Sequence, residues 1–122
     1  MRLFFVCVGN YCRSQMAEGI AKSMGLEAAS AGTHPAKAVA EHALKLLASR
    51  DIDTTGMRPQ SIDEFDHTHF DKIISMGCGV HCPNLPIAED WGLEDPVGGP
   101  YEQYEETAAE IERRLKALIQ SV

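Results

Sequence analysis

Cys7 and Arg13 stand six positions apart, with Gly9 and Asn10 between them and Ser14 beside the arginine. The apolar run Leu3, Phe4, Phe5 and Val6 in front of them reads as a buried strand, and residues 15–22 behind them open a helix. A turn from strand into helix presents main-chain N–H groups that have no partner within the helix, and the helix dipole adds partial positive charge there. Gly9 and Asn10 tolerate left-handed backbone angles, so the amides of Val8, Gly9, Asn10, Tyr11 and Cys12 can converge on one point. Arg13 adds a planar fork suited to two oxygens of a tetrahedral dianion. A free cysteine thiol has a pKa of ~8.5, and surroundings of this kind lower it by roughly one to five units. The chemistry to expect is a Cys7 thiolate aimed at a bound oxyanion.

Two further groups fit that chemistry. A thiolate attacking a tetrahedral oxyanion needs a proton for the departing oxygen, and Asp95 can supply it. Pro96 restricts the chain there, which suits a side chain that must point into a site, although Glu89, Asp90 and Glu94 compete for the role. The second group is Cys78 and Cys82, set among Gly77, Gly79 and His81. A disulfide needs Cα atoms within roughly 7 Å, whereas an extended segment would hold this pair ~13 Å apart. A turn or one helical coil closes that gap. Three readings stand side by side: a redox relay, a zinc site with His81, and inert buried thiols. Structural zinc takes four ligands, and the sequence has no second cysteine pair away from residues 7–12. His67 and His69 read as loop residues, and His34 and His42 as surface or capping residues.

The elements that must carry these groups alternate strand and helix, which implies a parallel sheet covered on both faces. A helix over 14–24 turns Ala17, Ile20, Ala21 and Met24 inward, stops at Gly25, and pairs Glu18 with Lys22 on its surface. A strand over 26–31 ends at Gly32. Pro35 opens a second helix to about residue 50, with Val39, Ala40, Ala43, Leu44 and Leu47 inward. Residues 51–70 are polar and irregular, broken by Gly56 and Pro59, with a short helix near 62–65. Strands follow over 71–76 and, at an edge, over 85–88. The last helix starts at Tyr101, and Tyr104, Ala108, Ile111, Leu115 and Leu118 form its buried stripe.

The 122 residues suit one domain, 1–122, and a hydrophobic content of 44% fills one core. No apolar run approaches the ~20 residues of a membrane helix, and no basic-then-apolar leader stands at the start, which predicts a cytoplasmic protein without a membrane partner. The net charge of −7 repels nucleic acid and anionic lipid. Oxyanion binding must therefore be local. Four cysteines in such a compartment read as reactive or metal-binding, not as a disulfide framework.

The string from Cys7 to Gly19, set after an N-terminal strand, resembles the low-molecular-weight protein tyrosine phosphatase family, and most of all the thioredoxin-coupled arsenate reductases that share its fold. The resemblance implies a single-domain α/β three-layer sandwich: a four-stranded parallel sheet of order 2-1-3-4 with helices on both faces. Strands one and three are then neighbours ~4.8 Å apart, and Cys78 comes within reach of Cys7. It implies that Cys7 attacks arsenate held by the loop and Arg13, that Ser14 hydrogen-bonds the thiolate, that Asn10 pins the loop and that Asp95 is the acid. Cys78 then releases arsenite by attacking Cys7, Cys82 takes over the disulfide, and thioredoxin or a similar dithiol reduces it. Relatives of both kinds carry a cysteine at the position of Cys12, which reads as packing. No metal or cofactor is implied. The spacing of Cys78 and Cys82 is shorter than in the best-known relatives, and the potassium site of some is only partly recognisable, in Asn10, Glu18 and Ser30. The alternative is a phosphatase hydrolysing aryl phosphates through a phosphocysteine. Val97, Gly98 and Gly99 weigh against it, because they follow Asp95-Pro96 where phosphatases place two tyrosines. A third reading is an oxyanion-binding or redox-sensing module that docks a partner.

Overall fold

β1 (Arg2–Cys7) is buried on both faces, as an unbroken apolar run requires of a central parallel strand. The computed structural model describes residues 1–76 and 85–120. Cys78, His81 and Cys82 lie outside the described residues. β2 (Glu27–Gly32) pairs with β1 on one side and β3 (Lys72–Ser75) on the other, and β4 (Glu89–Asp90) extends β3. All pairings are parallel and the order is β2-β1-β3-β4, as the resemblance implied.

Alternation along β1 divides the core. Leu3, Phe5 and Cys7 face one layer, built from α1 (Arg13–Ser23), α2 (Glu41–Ser49) and α3 (Tyr101–Gln120). Phe4 and Val6 face the other, with Ala31, Ile73, Ile62, Phe65, Phe70 and Leu85. That second layer carries two short 3-10 helices, Ile62–Glu64 and His67–His69. Ser61 and Glu64 form a reciprocal capping box on the first, and Asp66 caps the second. Phe4 stacks on Phe70 at 4.6 Å between ring centroids, so the thinner layer is closed by aromatic contact. The α3 stripe docks as its spacing predicts: Tyr104, Ala108, Ile111, Leu115 and Leu118 are all buried.

The structure corrects two elements. The second helix begins at Glu41, not Pro35, and the edge strand is Glu89–Asp90, not 85–88. Pro86 has no N–H for a ladder, and pairing with β3 starts only where Ala88 donates to the Ile73 carbonyl. The residues before Glu41 stay non-helical, with the amides of Thr33, His34, Ala36 and Ala40 bonded to the end of β1 and the segment that follows it. No helix of the described residues is long and apolar enough to cross a membrane.

Candidate active site

The turn between β1 and α1 is held open by its carbonyls. Those of Cys7, Val8, Gly9 and Tyr11 accept hydrogen bonds at 2.7–3.1 Å from the amides of Thr33, His34, Ala36 and Ala40. These four bonds tie residues 33–40 to the turn in a non-helical course. With its carbonyls drawn outward, the turn has its N–H groups left for the concave side. Asn10 makes this possible by adopting a left-handed backbone, φ 51°. α1 follows with no side-chain cap and no acidic residue in its first turn, so no residue of the helix itself offsets its positive end.

Cys7 sits at the centre, 4% exposed. The Asn10 amide donates to its sulfur at 3.0 Å, and Ser14 Oγ lies 2.9 Å away. Asn10 Nδ2 donates to Ser14 Oγ at 2.8 Å, which leaves the serine's own hydrogen for the sulfur. Donors at this distance favour the charged form of the thiol. Arg13 is buried, and its Nη1 donates to the carbonyls of Leu93 at 2.7 Å and Met76 at 3.3 Å. Its Nη2 lies 3.8 Å from an Asp95 carboxylate oxygen.

These groups surround a cleft of about 390 Å³. Cys7, Val8, Gly9, Tyr11, Cys12 and Arg13 line it together with His34, Ala36 and Asp95. Asp95 has a side chain 44% exposed, within reach of solvent protons. The Cys12 thiol is buried, 3.8 Å from Met16 Sδ, and desolvation, reinforced by Asp95, pushes its pKa up to about 12. It therefore packs as a neutral thiol. Burial, followed by the charge of Asp95, likewise holds the Tyr11 phenol above its ordinary range.

The strand and the turn that carries Cys7 and Arg13 fall within the part of the chain that matches a protein family. Residues 2–86 fit the family model of the low molecular weight phosphotyrosine protein phosphatases. The chain belongs to that family. A glutaredoxin arsenate reductase of Synechocystis is 35% identical over 99% of this chain and 98% of its own. A solved arsenate reductase in a phosphate-binding state superposes with a TM-score of 0.89 at 35% identity, covering 99% of this chain and 98% of that one. A thioredoxin-dependent arsenate reductase of Corynebacterium glutamicum matches at 29% identity and TM-score 0.77, over 98% of this chain and 60% of that one.

Of the residues singled out in the sequence, Cys7, Val8, Gly9, Tyr11, Cys12, Arg13 and Asp95 line one cleft, while Asn10 and Ser14 lie buried behind it. Cys78 and Cys82 lie outside the described residues. The supports of the turn carry no sequence signal of their own: the amides of Thr33, His34, Ala36 and Ala40, the Gln60 amide that bonds Asn10 Oδ1 at 2.8 Å, and Gly32. Gly32 pairs with Cys7, and a methyl there would overlap the Val8 carbonyl oxygen and press on the Asn10 amide at 3.0 Å. Both neighbours are backbone, so neither can swing aside. Gly32→Ala is expected to cost about 1–3 kcal/mol of stability and to weaken phosphate binding, checked by urea denaturation and calorimetric titration. Wild-type phosphate affinity in the variant would contradict this account of the turn.

Proposed function

We propose that this chain is an arsenate reductase in which Cys7 is the nucleophile. The observation that carries it is the cleft, where a hydrogen-bonded sulfur shares about 390 Å³ with a buried guanidinium and a solvent-accessible carboxyl group. The Cys7 thiolate attacks arsenic, the S–As bond forms, and an oxygen leaves as water with a proton from Asp95. Amides of residues 8–12 and Arg13 hold the remaining oxygens. Cys78, as thiolate, attacks the Cys7 sulfur. The electron pair of the S–As bond passes to arsenic, As(V) becomes As(III), and arsenite leaves behind a Cys7–Cys78 disulfide. Cys82 then attacks Cys78, freeing Cys7. Thioredoxin or a similar dithiol reduces the Cys78–Cys82 disulfide and is itself oxidised.

The sheet supports the relay. β3 lies beside β1, and the Met76 amide donates to the Val6 carbonyl. The Met76 carbonyl in turn accepts from Arg13. Cys78 follows Met76 by two residues, a span of about 7 Å at most. Such chemistry belongs in a reducing compartment, the cytoplasm, where the thiols are restored.

Arsenate and phosphate share shape and charge, so the cleft alone serves either. Hydrolysis of an aryl phosphate through a phosphocysteine uses the same Cys7, Arg13 and Asp95 and is the second reading, favoured by the family model. Cys78→Ser and Cys82→Ser separate them. Arsenite release is measured over many turnovers with thioredoxin and with glutaredoxin as donors, beside aryl-phosphate hydrolysis. A reductase loses multiple-turnover arsenite release in both variants and keeps any hydrolysis. Parent protein that makes no arsenite with either donor, and hydrolysis indifferent to both substitutions, would leave the phosphatase.

A further inference from the structure

Gln15, on the first turn of α1, is 2% exposed yet polar. Its Nε2 lies 2.8 Å from the Arg58 carbonyl, 3.0 Å from Asn10 Oδ1 and 3.1 Å from the Asn10 carbonyl. Main-chain carbonyls only accept, so the nitrogen of the amide must face them, and two hydrogens are divided among three acceptors. The Gln60 amide, which only donates, fixes Asn10 Oδ1 from the other side. The Asn10 side chain then has one orientation, with Nδ2 toward Ser14 Oγ. Ser14, receiving that hydrogen, has its own for the Cys7 sulfur.

We propose that Gln15 is a positioning residue, holding Asn10 so that the Ser14 hydroxyl hydrogen points at the Cys7 sulfur. Asn10 has reason to move without it. Its left-handed backbone is one that asparagine tolerates, so the side-chain amide is oriented by its hydrogen bonds rather than by the main chain. With Gln15 gone, the Asn10 carbonyl loses that donor and one of two donors to Oδ1 disappears. The Gln60 amide alone then opposes a turn of the Asn10 amide, and in the fraction that turns Oδ1 faces Ser14 and draws the serine hydrogen away from sulfur. Thiolate stabilisation falls although no group touching the anion has changed.

The proposal rests on Cys7 as the nucleophile, but its test needs neither arsenate nor a reductant. Gln15→Met keeps the side-chain length and removes both hydrogens. Cys7 alkylation by iodoacetamide, resolved from that of Cys12 by peptide mass spectrometry, is followed against pH. The midpoint is expected to rise by about one unit, which is about tenfold less thiolate at pH values below both midpoints. Turnover of whichever substrate the parent accepts should fall in parallel and recover as pH rises. Leu44→Ala, in α2 away from this chain of bonds, serves as a variant of lowered stability and should leave the midpoint in place. An unshifted midpoint in Gln15→Met overturns the proposal, as does an equal shift in Leu44→Ala. Should Gln15→Met not fold, Gln15→Glu keeps the shape, loses the donors when ionised, and is judged by the same midpoint. A parent protein inactive toward arsenate would defeat the proposed reaction while leaving this titration to stand or fall alone.

Discussion

Cys7→Ser is expected to abolish turnover while the oxyanion still binds. The serine oxygen can occupy the place of the sulfur and accept from the Asn10 amide and Ser14, now 3.0 and 2.9 Å from Sγ. A hydroxyl stays neutral at pH values where a thiol held by two donors ionises, and among the described residues His34 is the one histidine that lines the cleft. Nucleophilic attack therefore fails, with a loss on the order of 10⁶-fold in kcat, the scale seen when a covalent enzyme loses its nucleophile. Cys12 cannot substitute, because burial pushes its pKa to about 12 and keeps it a thiol. Binding should instead tighten several-fold, since a neutral hydroxyl no longer repels the dianion. Turnover assays and calorimetric phosphate titration read the two effects separately. Residual turnover above background would remove Cys7 from the nucleophile's role, and a variant that folds but no longer binds phosphate would undo the account of the turn.

The contrast between what the chain announces and what it conceals has a physical basis. Cys7, Arg13 and Asp95 were legible because chemistry demands particular side chains, β1 because burial on both faces demands an unbroken apolar run, and α3 because burial of one face imposes a period. The strand order entered through the family resemblance, since local pattern carries no information about which strands become neighbours. The second helix was overextended because Pro35 and the apolar positions Val39 and Ala40 are compatible with helix. The deciding factor was remote: the carbonyls of Cys7, Val8, Gly9 and Tyr11 claim the amides of Thr33, His34, Ala36 and Ala40. Gly32 shows the same limit. At the end of a strand it looks like simple punctuation, and only the approach of the Val8 carbonyl reveals why no Cβ fits. Gln15 sits in a helix where a polar residue usually faces water, and its burial becomes intelligible only with Asn10 and Arg58 in view.

Arg13→Lys is the sharper test of geometry, since it preserves the charge. Arg13 does more than supply a cation. Its Nη1 bridges the carbonyls of Leu93 and Met76, and its Nη2 faces Asp95. One guanidinium thereby links α1 to the end of β3 and to the segment that carries Asp95. A lysine ammonium is a single point with three hydrogens, strongly hydrated, and has no planar fork. It cannot satisfy two carbonyls and an oxyanion together, so one or more buried acceptors lose their donor. Asp95 also loses the partner that aims it across the cleft. The expected loss is about 10²–10³-fold in kcat/KM, the scale of removing a preorganised oxyanion donor. It should be divided between weaker phosphate binding and a lower kcat, because both the anion and the acid are displaced. If charge alone mattered, lysine would stay within a few-fold of the parent in kcat/KM and in phosphate affinity. That result would reduce Arg13 to an electrostatic element, and the bonds to Leu93 and Met76 to packing.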